Sequence, residues 1–310
     1  MSDVTITYSI YGNFDYNRLL ASVKSVLNQK KCVPKIIVSE ENLESKLDGI
    51  SRELPIKHIY SEPEQDCNGR CVYNTGEIRN RAILEADTKF IYLNDADIIF
   101  LNQEYFFQLC EEIDGDEALI WPPSRRLIQA DVDYFLRLVE EKGIDEAISF
   151  LRYPNEYVAN LSENAHELKV VSHKNGRIYT TEISVFQRYL VDESMKGKEP
   201  TFWHDIVHIG GIFAQREMIL SVGGYSDSYI TWGYEDVDLQ WKLNEVYSTR
   251  IIPKSKNFEV LHLDHPKGYF SPEQNIRNRQ LFEKRQTRGV EEAVKYDLGR
   301  LRWNLHNLKD

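Results

Sequence analysis

Lys89-Phe90-Ile91-Tyr92-Leu93-Asn94 runs directly into Asp95-Ala96-Asp97. A short apolar and aromatic run bounded by polar residues reads as a buried strand. The same signal recurs upstream, in Val4 to Ile10, in Lys35 to Ser39 and in Pro55 to Tyr60. Helix candidates lie between these runs. Asn17 to Gln29 places Leu19, Leu20, Val23, Val26 and Leu27 on one helical face, and Glu77 to Ala86 is a second candidate. Strands alternating with helices at this spacing predict an α/β fold, a βαβ sheet with helices on its faces. In such sheets ligands sit beyond the carboxyl ends of the strands, which is where Asp95 and Asp97 fall.

The whole chain fits a globular domain. It has 310 residues, 38 Lys plus Arg against 49 Asp plus Glu, and a net charge of −11. That length supports one large core, or a core with an appended subdomain. The acidity argues against nucleic acid as a partner, because phosphate binding needs a positive field. No run of about 18 apolar residues exists to span a membrane. Met1-Ser2-Asp3-Val4 shows no basic region followed by an apolar stretch, so no secretory signal is expected. Cys32, Cys67, Cys71 and Cys110 do not make a disulfide scaffold or a zinc spacing. They read as reduced thiols of a cytoplasmic protein, with a loop disulfide between Cys67 and Cys71 left open.

Beyond residue 100 the pattern changes. Gln103 to Ile113 and Asp131 to Glu141 read as helices separated by Pro122-Pro123, and Asp192 to Pro200 is polar. This segment is expected to be a helical insertion over the site, or to pack on the sheet. From Ile206 onward Gly210-Gly211-Ile212-Phe213, Gly223-Gly224-Tyr225 and Trp232-Gly233-Tyr234-Glu235-Asp236 follow in quick succession. The glycines imply close backbone approaches or positive φ. The last forty residues read as helical, with an apolar stripe of Val290, Ala293, Val294, Leu298, Leu301 and Leu305. From Lys267 to the end ten Lys/Arg face six Asp/Glu, against the trend of the chain. A basic amphipathic helix can rest on a membrane surface, but packing on its own core is the commoner use.

Asp-x-Asp occurs four times, at Asp95-Ala96-Asp97, Asp114-Gly115-Asp116, Asp131-Val132-Asp133 and Asp236-Val237-Asp238, so context must separate the copies. The first follows a strand, and hard carboxylate oxygens there suit Mn2+ or Mg2+, which clamp a diphosphate. Asp114 to Asp116 reads as a solvated turn, and Asp131 as an acid in a first helical turn. In the fourth copy an aromatic and a glycine lead into adjacent Glu235 and Asp236, more acid than a helix cap needs. A carboxylate facing a sugar hydroxyl is a natural general base. Downstream, His262 and His265 lie three residues apart after a strand-like run, a plausible donor set for a divalent metal.

These elements, in this order, resemble the metal-dependent GT-A glycosyltransferases. Within that fold the chain looks most like family 2 inverting enzymes and the galactosyltransferase C-terminal domain. Ser25-Val26-Leu27-Asn28-Gln29 is similar to the family's S-aliphatic-L-x-Q, and Ile36 to Glu41 to the strand that ends in paired Asp. Gly76-Glu77-Ile78-Arg79-Asn80 is similar to G-x-x-R-N, Gly223-Gly224-Tyr225 to the G-G-aromatic turn, and Trp232 to Asp236 to W-G-x-E-D. Asp95-Ala96-Asp97 matches the D-x-D motif, and His262 to His265 the late metal ligand.

The resemblance implies a Rossmann-like mixed sheet flanked by helices, with a helical insertion and a helical C-terminus, all in one catalytic domain. Residues 1–100 would form the nucleotide-sugar-binding half and 101–200 the acceptor-side insertion. Residues 201–266 would form the catalytic and metal-binding half, and 267–310 a lid and C-terminal helices. On the donor side stand Ser9, Glu40 on uracil, Arg79 on uridine or its phosphate, and Asp95 on ribose or the sugar. Glu40 replaces the usual Asp, so its reach differs by one methylene. Asp97 and His265 would hold Mn2+ or Mg2+, with His262 a second candidate. Asp236 would be the catalytic base and Glu235 would hold the acceptor hydroxyl, with Trp232 and Gly211 on the acceptor side. Lys267 to Asn278 would close over the donor as a lid.

The implied reaction moves a hexose from a UDP-sugar to a hydroxyl of a glycan or glycolipid acceptor, as in polysaccharide biosynthesis. Galactose and N-acetylgalactosamine are favoured over glucose. One carboxylate acting once as base, with no second acid placed as nucleophile, implies inversion. The competing readings are a retaining N-acetylgalactosaminyltransferase-type enzyme, a nucleotidyltransferase, and a non-catalytic nucleotide-sugar-binding protein. The location implied is cytoplasmic, at the inner face of the membrane if the C-terminal helices rest there. Tyr153, Tyr157, Trp203 and His204 are acceptor candidates because aromatic rings stack on sugars.

Overall fold

Val4, Ile6, Tyr8 and Ile10 alternate along one strand and enter a single apolar cluster with Leu19, Val23 and Val26 of the helix that follows. That packing starts the fold. The structure, a computed structural model, describes residues 3–12, 14, 16–49, 53–112, 118–127, 129–150, 167–174, 177–184, 187–188, 202–205, 210–247, 249–251, 256–265 and 271–307.

The first third contains β1 (Val4–Tyr11), α1 (Tyr16–Leu27), β2 (Lys35–Glu41), β3 (Ile56–Ser61), β4 (Glu64–Gln65), β5 (Cys71–Val72), α2 (Thr75–Glu85), β6 (Phe90–Leu93) and β7 (Ile98–Phe100). The middle contains α3 (Tyr105–Glu112), β8 (Ala118–Ile120), β9 (Ser124–Leu127), α4 (Gln129–Glu141) and α5 (Ile144–Phe150). The hairpin β10 (Glu167–Lys174) and β11 (Arg177–Ser184) follows, then β12 (Gln187–Arg188) and β13 (Phe202–Asp205). The chain ends with β14 (Ile212–Gln215), α6 (Arg216–Ser221), α7 (Glu235–Val246), β15 (Thr249–Ile251), β16 (Val260–Leu263), α8 (Pro272–Arg288) and α9 (Val290–Asn307).

Seven strands form the main sheet in the order β15-β8-β14-β6-β1-β2-β3. β6, β1, β2 and β3 run parallel, while β14 is antiparallel to both β6 and β8, so the sheet is mixed. One face packs on α1 and α3 through Tyr92, Phe100, Tyr105 and Phe106. The other packs through Ile91, Leu93, Ile212 and Ala214 against Ala82, Met218 and Leu239 of α2, α6 and α7. A second sheet, β12-β13-β9-β16-β7, continues from the end of β6. It is covered by Phe135 and Val139 of α4 and Ile148 of α5.

Two expectations change. The segment 101–200, read as helical, holds α3, α4 and α5 but also supplies β8 to the main sheet and β9 to the second. These strands have three and four residues, too short for a periodicity to show. The lid expected from Lys267 to Asn278 is, over its described part, the first two turns of α8, and Asn278 is 2% exposed there. Residues 267–270 lie outside the described residues, as do Asp114 to Asp116, Tyr153, Tyr157, Asp192 to Pro200 and the side chains of Trp203 and His204. In α9, Ala293 and Leu301 are buried and Val294 packs on the core, so this face is used internally. None of the four cysteines forms a disulfide, Cys67 and Cys71 included. Among the described residues no helix is long and apolar enough to cross a membrane.

Candidate active site and metal centre

The centre is built where the two sheets meet. β6 ends at Leu93, and Asp95 and Asp97 occupy the turn into β7. β16 pairs antiparallel with β7, with His262 opposite Ile98, and Leu263 N–H donates to the Asp97 carbonyl at 2.9 Å. That pairing is what carries His262 to the acid. Asp97 Oδ2 lies 3.2 Å from His262 Nε2 and 3.0 Å from His265 Nε2. The three side chains can each offer one ligand atom within 4.8 Å of the others. Burial opposes charge on Asp97, but the two imidazoles outweigh it and hold the carboxyl well below its ordinary range. Its Oδ1 is buried without a hydrogen-bond partner. A buried, ionised carboxylate with one oxygen unsatisfied, beside two imidazoles, fits a cation.

Glu235 and Asp236 stand in the first turn of α7. Thr231 and Tyr234 both have positive φ, at 58° and 72°, and Gly233 between them has 115°. Such backbone persists only where its surroundings hold it. Thr231 N–H donates to the Tyr73 carbonyl at 2.8 Å, and Thr75 Oγ1 donates to the Thr231 carbonyl at 3.0 Å. The buried Asn278 amide donates to the carbonyls of Ile230 and Gly233 at 3.2 and 3.0 Å. Glu235 is 1% exposed, and its Oε2 accepts from Gly233 N–H at 2.8 Å while Oε1 is buried without a partner. Burial raises the Glu235 carboxyl above its ordinary pKa, against the pull of Arg79. Asp236 is 17% exposed at the side chain and lies 3.1 Å from Arg79. Trp232 is half-buried beside them.

Two glycine-bearing segments interlock beneath these acids. The Asn80 amide donates to the Tyr225 carbonyl and accepts from its N–H, both at 2.8 Å. A Cβ at Gly224 would lie 2.4 Å from Asn80 Oδ1, and one at Gly76 would lie 2.2 Å from the Ser226 carbonyl oxygen. A Cβ at Gly210 would collide with the Asp95 carboxylate, so Gly210 backs that acid. Gly211 follows it, buried, at the entry to β14. Ser9 borders a small cleft with Arg79, Asn94 and Tyr225.

Glu40 is not available to a ligand here. It is 0% exposed, and Tyr16, Asn42, Ser45, His58 and the Lys46 N–H surround its two oxygens at 2.7 to 3.0 Å. Burial opposes its charge, but the hydrogen bonds, the Lys46 N–H foremost, lower its pKa. Its neighbour Glu41 was not singled out by sequence. Glu41 has a buried Oε2 without a partner, and burial pushes its carboxyl up to about 7 despite Arg81 at 3.4 Å. Adjacent side chains on a strand face opposite sides, so Glu40 and Glu41 meet different surroundings.

Asp238, the last acid of the fourth Asp-x-Asp, points away from the centre. It is 0% exposed and receives Arg285 at 2.7 and 3.0 Å. Arg285 also reaches Asp297 at 2.6 Å, and Lys242 bonds both Asp297 and the Gly224 carbonyl. This buried group ties α7, α8 and α9 together behind the acids.

Comparisons with known proteins point the same way. A family model described as the N-terminal domain of galactosyltransferase matches residues 203–266, a span that includes Trp232 to Asp236 and both histidines. No curated protein sequence matches the chain. Among solved structures, GalNAc-T7 with UDP, GalNAc and Mn2+ superposes with a TM-score of 0.53 at 15% identity, covering 91% of this chain and 47% of that one. TarS 1–349 of S. aureus gives 0.46 at 12% identity, over 91% of this chain and 64% of that one. The mannosyltransferase PcManGT of Pyrobaculum calidifontis, with GDP-Man and Mn2+, gives 0.45 at 11%, over 98% and 74%. The chain thus spans less than two thirds of the length of the first two. With its mixed sheet, strand-end acids and flanking helices, the protein has the GT-A fold of the glycosyltransferases.

Proposed function

We propose that the protein is a metal-dependent glycosyltransferase that moves a hexose from a UDP-sugar to a hydroxyl of a glycan or glycolipid acceptor, with inversion. The observation that carries this reading is the Asp97, His262, His265 triad at the carboxyl end of β6, beside the Glu235–Asp236 pair that opens α7. Imidazole nitrogen with a carboxylate suits Mn2+ better than Mg2+, which takes oxygen. When bound there, the ion would act as Lewis acid and neutralise the leaving diphosphate.

The chain's own residues supply the rest. Ser9 borders the donor cleft and Asp95 reaches it through Arg79, and Glu41 takes the base-reading role in place of Glu40, because its unpartnered oxygen is the one a ligand N–H can satisfy. The unpartnered Oε1 of Glu235 holds the acceptor hydroxyl in the same way. Asp236, the more exposed of the two acids, accepts the hydroxyl proton as the oxygen attacks the anomeric carbon. Trp232 offers a flat apolar wall for a sugar ring. Galactose and N-acetylgalactosamine remain the favoured sugars.

The test is UDP release from UDP-galactose, UDP-N-acetylgalactosamine and UDP-glucose, with Mn2+ or with chelator. Metal-dependent release of UDP from one of them supports the reading. Full turnover in chelator would sink the triad's role. Asp236→Asn is expected to lose about 10²- to 10⁴-fold in kcat, the usual worth of general-base catalysis.

A further inference from the structure

Arg79 is engaged on both sides of the cleft. Its Nη2 donates to Asp95 Oδ1 at 3.0 Å, and its Nη1 lies 3.1 Å from Asp236 Oδ1 and donates to Tyr225 Oη at 3.1 Å. The guanidinium lies over the Tyr225 ring, 5.0 Å from its centroid. The side chain is 13% exposed. Burial works against its charge, but Asp236, Tyr225, Asp95 and Glu235 outweigh it and hold its pKa well above the ordinary value. Both Nη groups are thus committed to the two carboxylates and to Tyr225, while Nε is buried without a hydrogen-bond partner.

We propose that Arg79 is a positioning residue for Asp236 rather than a ligand of the donor phosphate. It keeps the base ionised and aimed, and through Asp95 it ties the acceptor side of the cleft to the donor side. This inference rests on the transferase reading above. Arg79 from α2 and Tyr225 from the turn after α6 interact directly with Asp236, and Asp95 from the end of β6 and Glu235 of α7 act on the same guanidinium. Arg79 is the cation placed against Asp236, and an opposite charge at this distance favours the ionised carboxylate. The planar fork, seated on Tyr225, holds two carboxylates in fixed directions, which a lysine ammonium cannot do.

The experiment compares wild type, Arg79→Gln and Arg79→Lys in Mn2+, with initial rates over donor concentration and pH, and calorimetric titration with UDP and Mn2+. In Arg79→Gln the acidic limb of kcat should move up by about 1–3 pH units, the usual effect of an adjacent arginine on an acid. Its donor KM and UDP affinity should stay within about threefold, as a loss confined to the chemical step requires. Arg79→Lys should return most of the limb toward wild type while kcat stays depressed. A rise of about tenfold or more in donor KM, with the limb unmoved, is the signature of a lost donor contact and would overturn the inference. If the glutamine variant melts at room temperature, the lysine variant decides alone: a wild-type limb and a raised KM refute the proposal. Wild type that neither binds UDP nor turns over any UDP-hexose would overturn the transferase reading itself, an outcome distinct from the KM result.

Discussion

Asp297 of α9 is 2% exposed, and one of its oxygens takes both Lys242 and Arg285. Lys242 is 0% exposed and Arg285 8%. Asp297→Ala would leave these two cations with Asp238 as their carboxylate partner, the Lys242 distance to it being 3.8 Å. Stranding a buried charge costs about 3–5 kcal/mol. At about 2.1 cal/mol/K of unfolding entropy per residue, this chain length gives about 1.5 °C per kcal/mol, so Tm should fall by about 5–8 °C. The double variant Asp297→Leu with Lys242→Met removes one charge of each sign and leaves Arg285 on Asp238. It should lose less than half as much, because apolar replacement of a buried pair is often close to neutral. Calorimetry and urea unfolding at neutral pH give both numbers. A single variant within about 1 kcal/mol of wild type would show that the group is not desolvated as described, that being the ceiling for an exposed pair. A double variant as damaged as the single would refute the stranded-charge account.

Other consequences are equally direct. In the folded protein the carboxyl of Glu41 lies at about 7 instead of 4.5, so the native state holds this proton more tightly than the unfolded chain. Its stabilisation is complete below about 4.5 and is lost as pH rises to 7, worth up to about 3 kcal/mol, and Glu41→Gln should flatten that slope in urea unfolding across pH 5–8. Mn2+ at about a hundred times its Kd should stabilise wild type by about 2.7 kcal/mol, near 4 °C in Tm, and Asp97→Asn and His265→Ala should abolish the response. Variants that still respond would remove them from the metal site. Gly76→Ala drives a Cβ to 2.2 Å from the Ser226 carbonyl, whereas Gly49 faces open space. The first should cost about 1–3 kcal/mol and Gly49→Ala under about 0.5, read by thermal melts.

Much of this architecture was legible from local patterns. The apolar runs at Val4, Lys35 and Phe90 and the amphipathic helix after residue 16 appear within a residue or two of where they were expected, because strand and helix periodicities are local. Asp95 and Asp97 at a strand end, and Glu235 and Asp236 at a helix start, could be placed for the same reason. What was not legible depends on chain segments meeting from far apart. Glu40 and Glu41 are chemically alike and adjacent, and only the packing of α1, β3 and the loop after β2 surrounds Glu40 with five hydrogen-bond partners while one oxygen of Glu41 has none. Asp236 and Asp238 lie two residues apart on α7, yet one faces Arg79 of α2 and the other faces Arg285 of α8. β8 and β9 were hidden because a three- or four-residue run carries no period.

The order of residues alone therefore established the fold class and the inventory of acids and imidazoles, since both follow from local periodicity and residue chemistry. The pairing of those groups came from topology. β16 lying against β7 brings His262 and His265 to Asp97, and α2 lying under the Gly223-Gly224-Tyr225 turn sets Arg79 between Asp95 and Asp236. A side chain's charge and reach are properties of its own residue, but its partner, its desolvation and hence its proton affinity belong to whatever the fold packs against it.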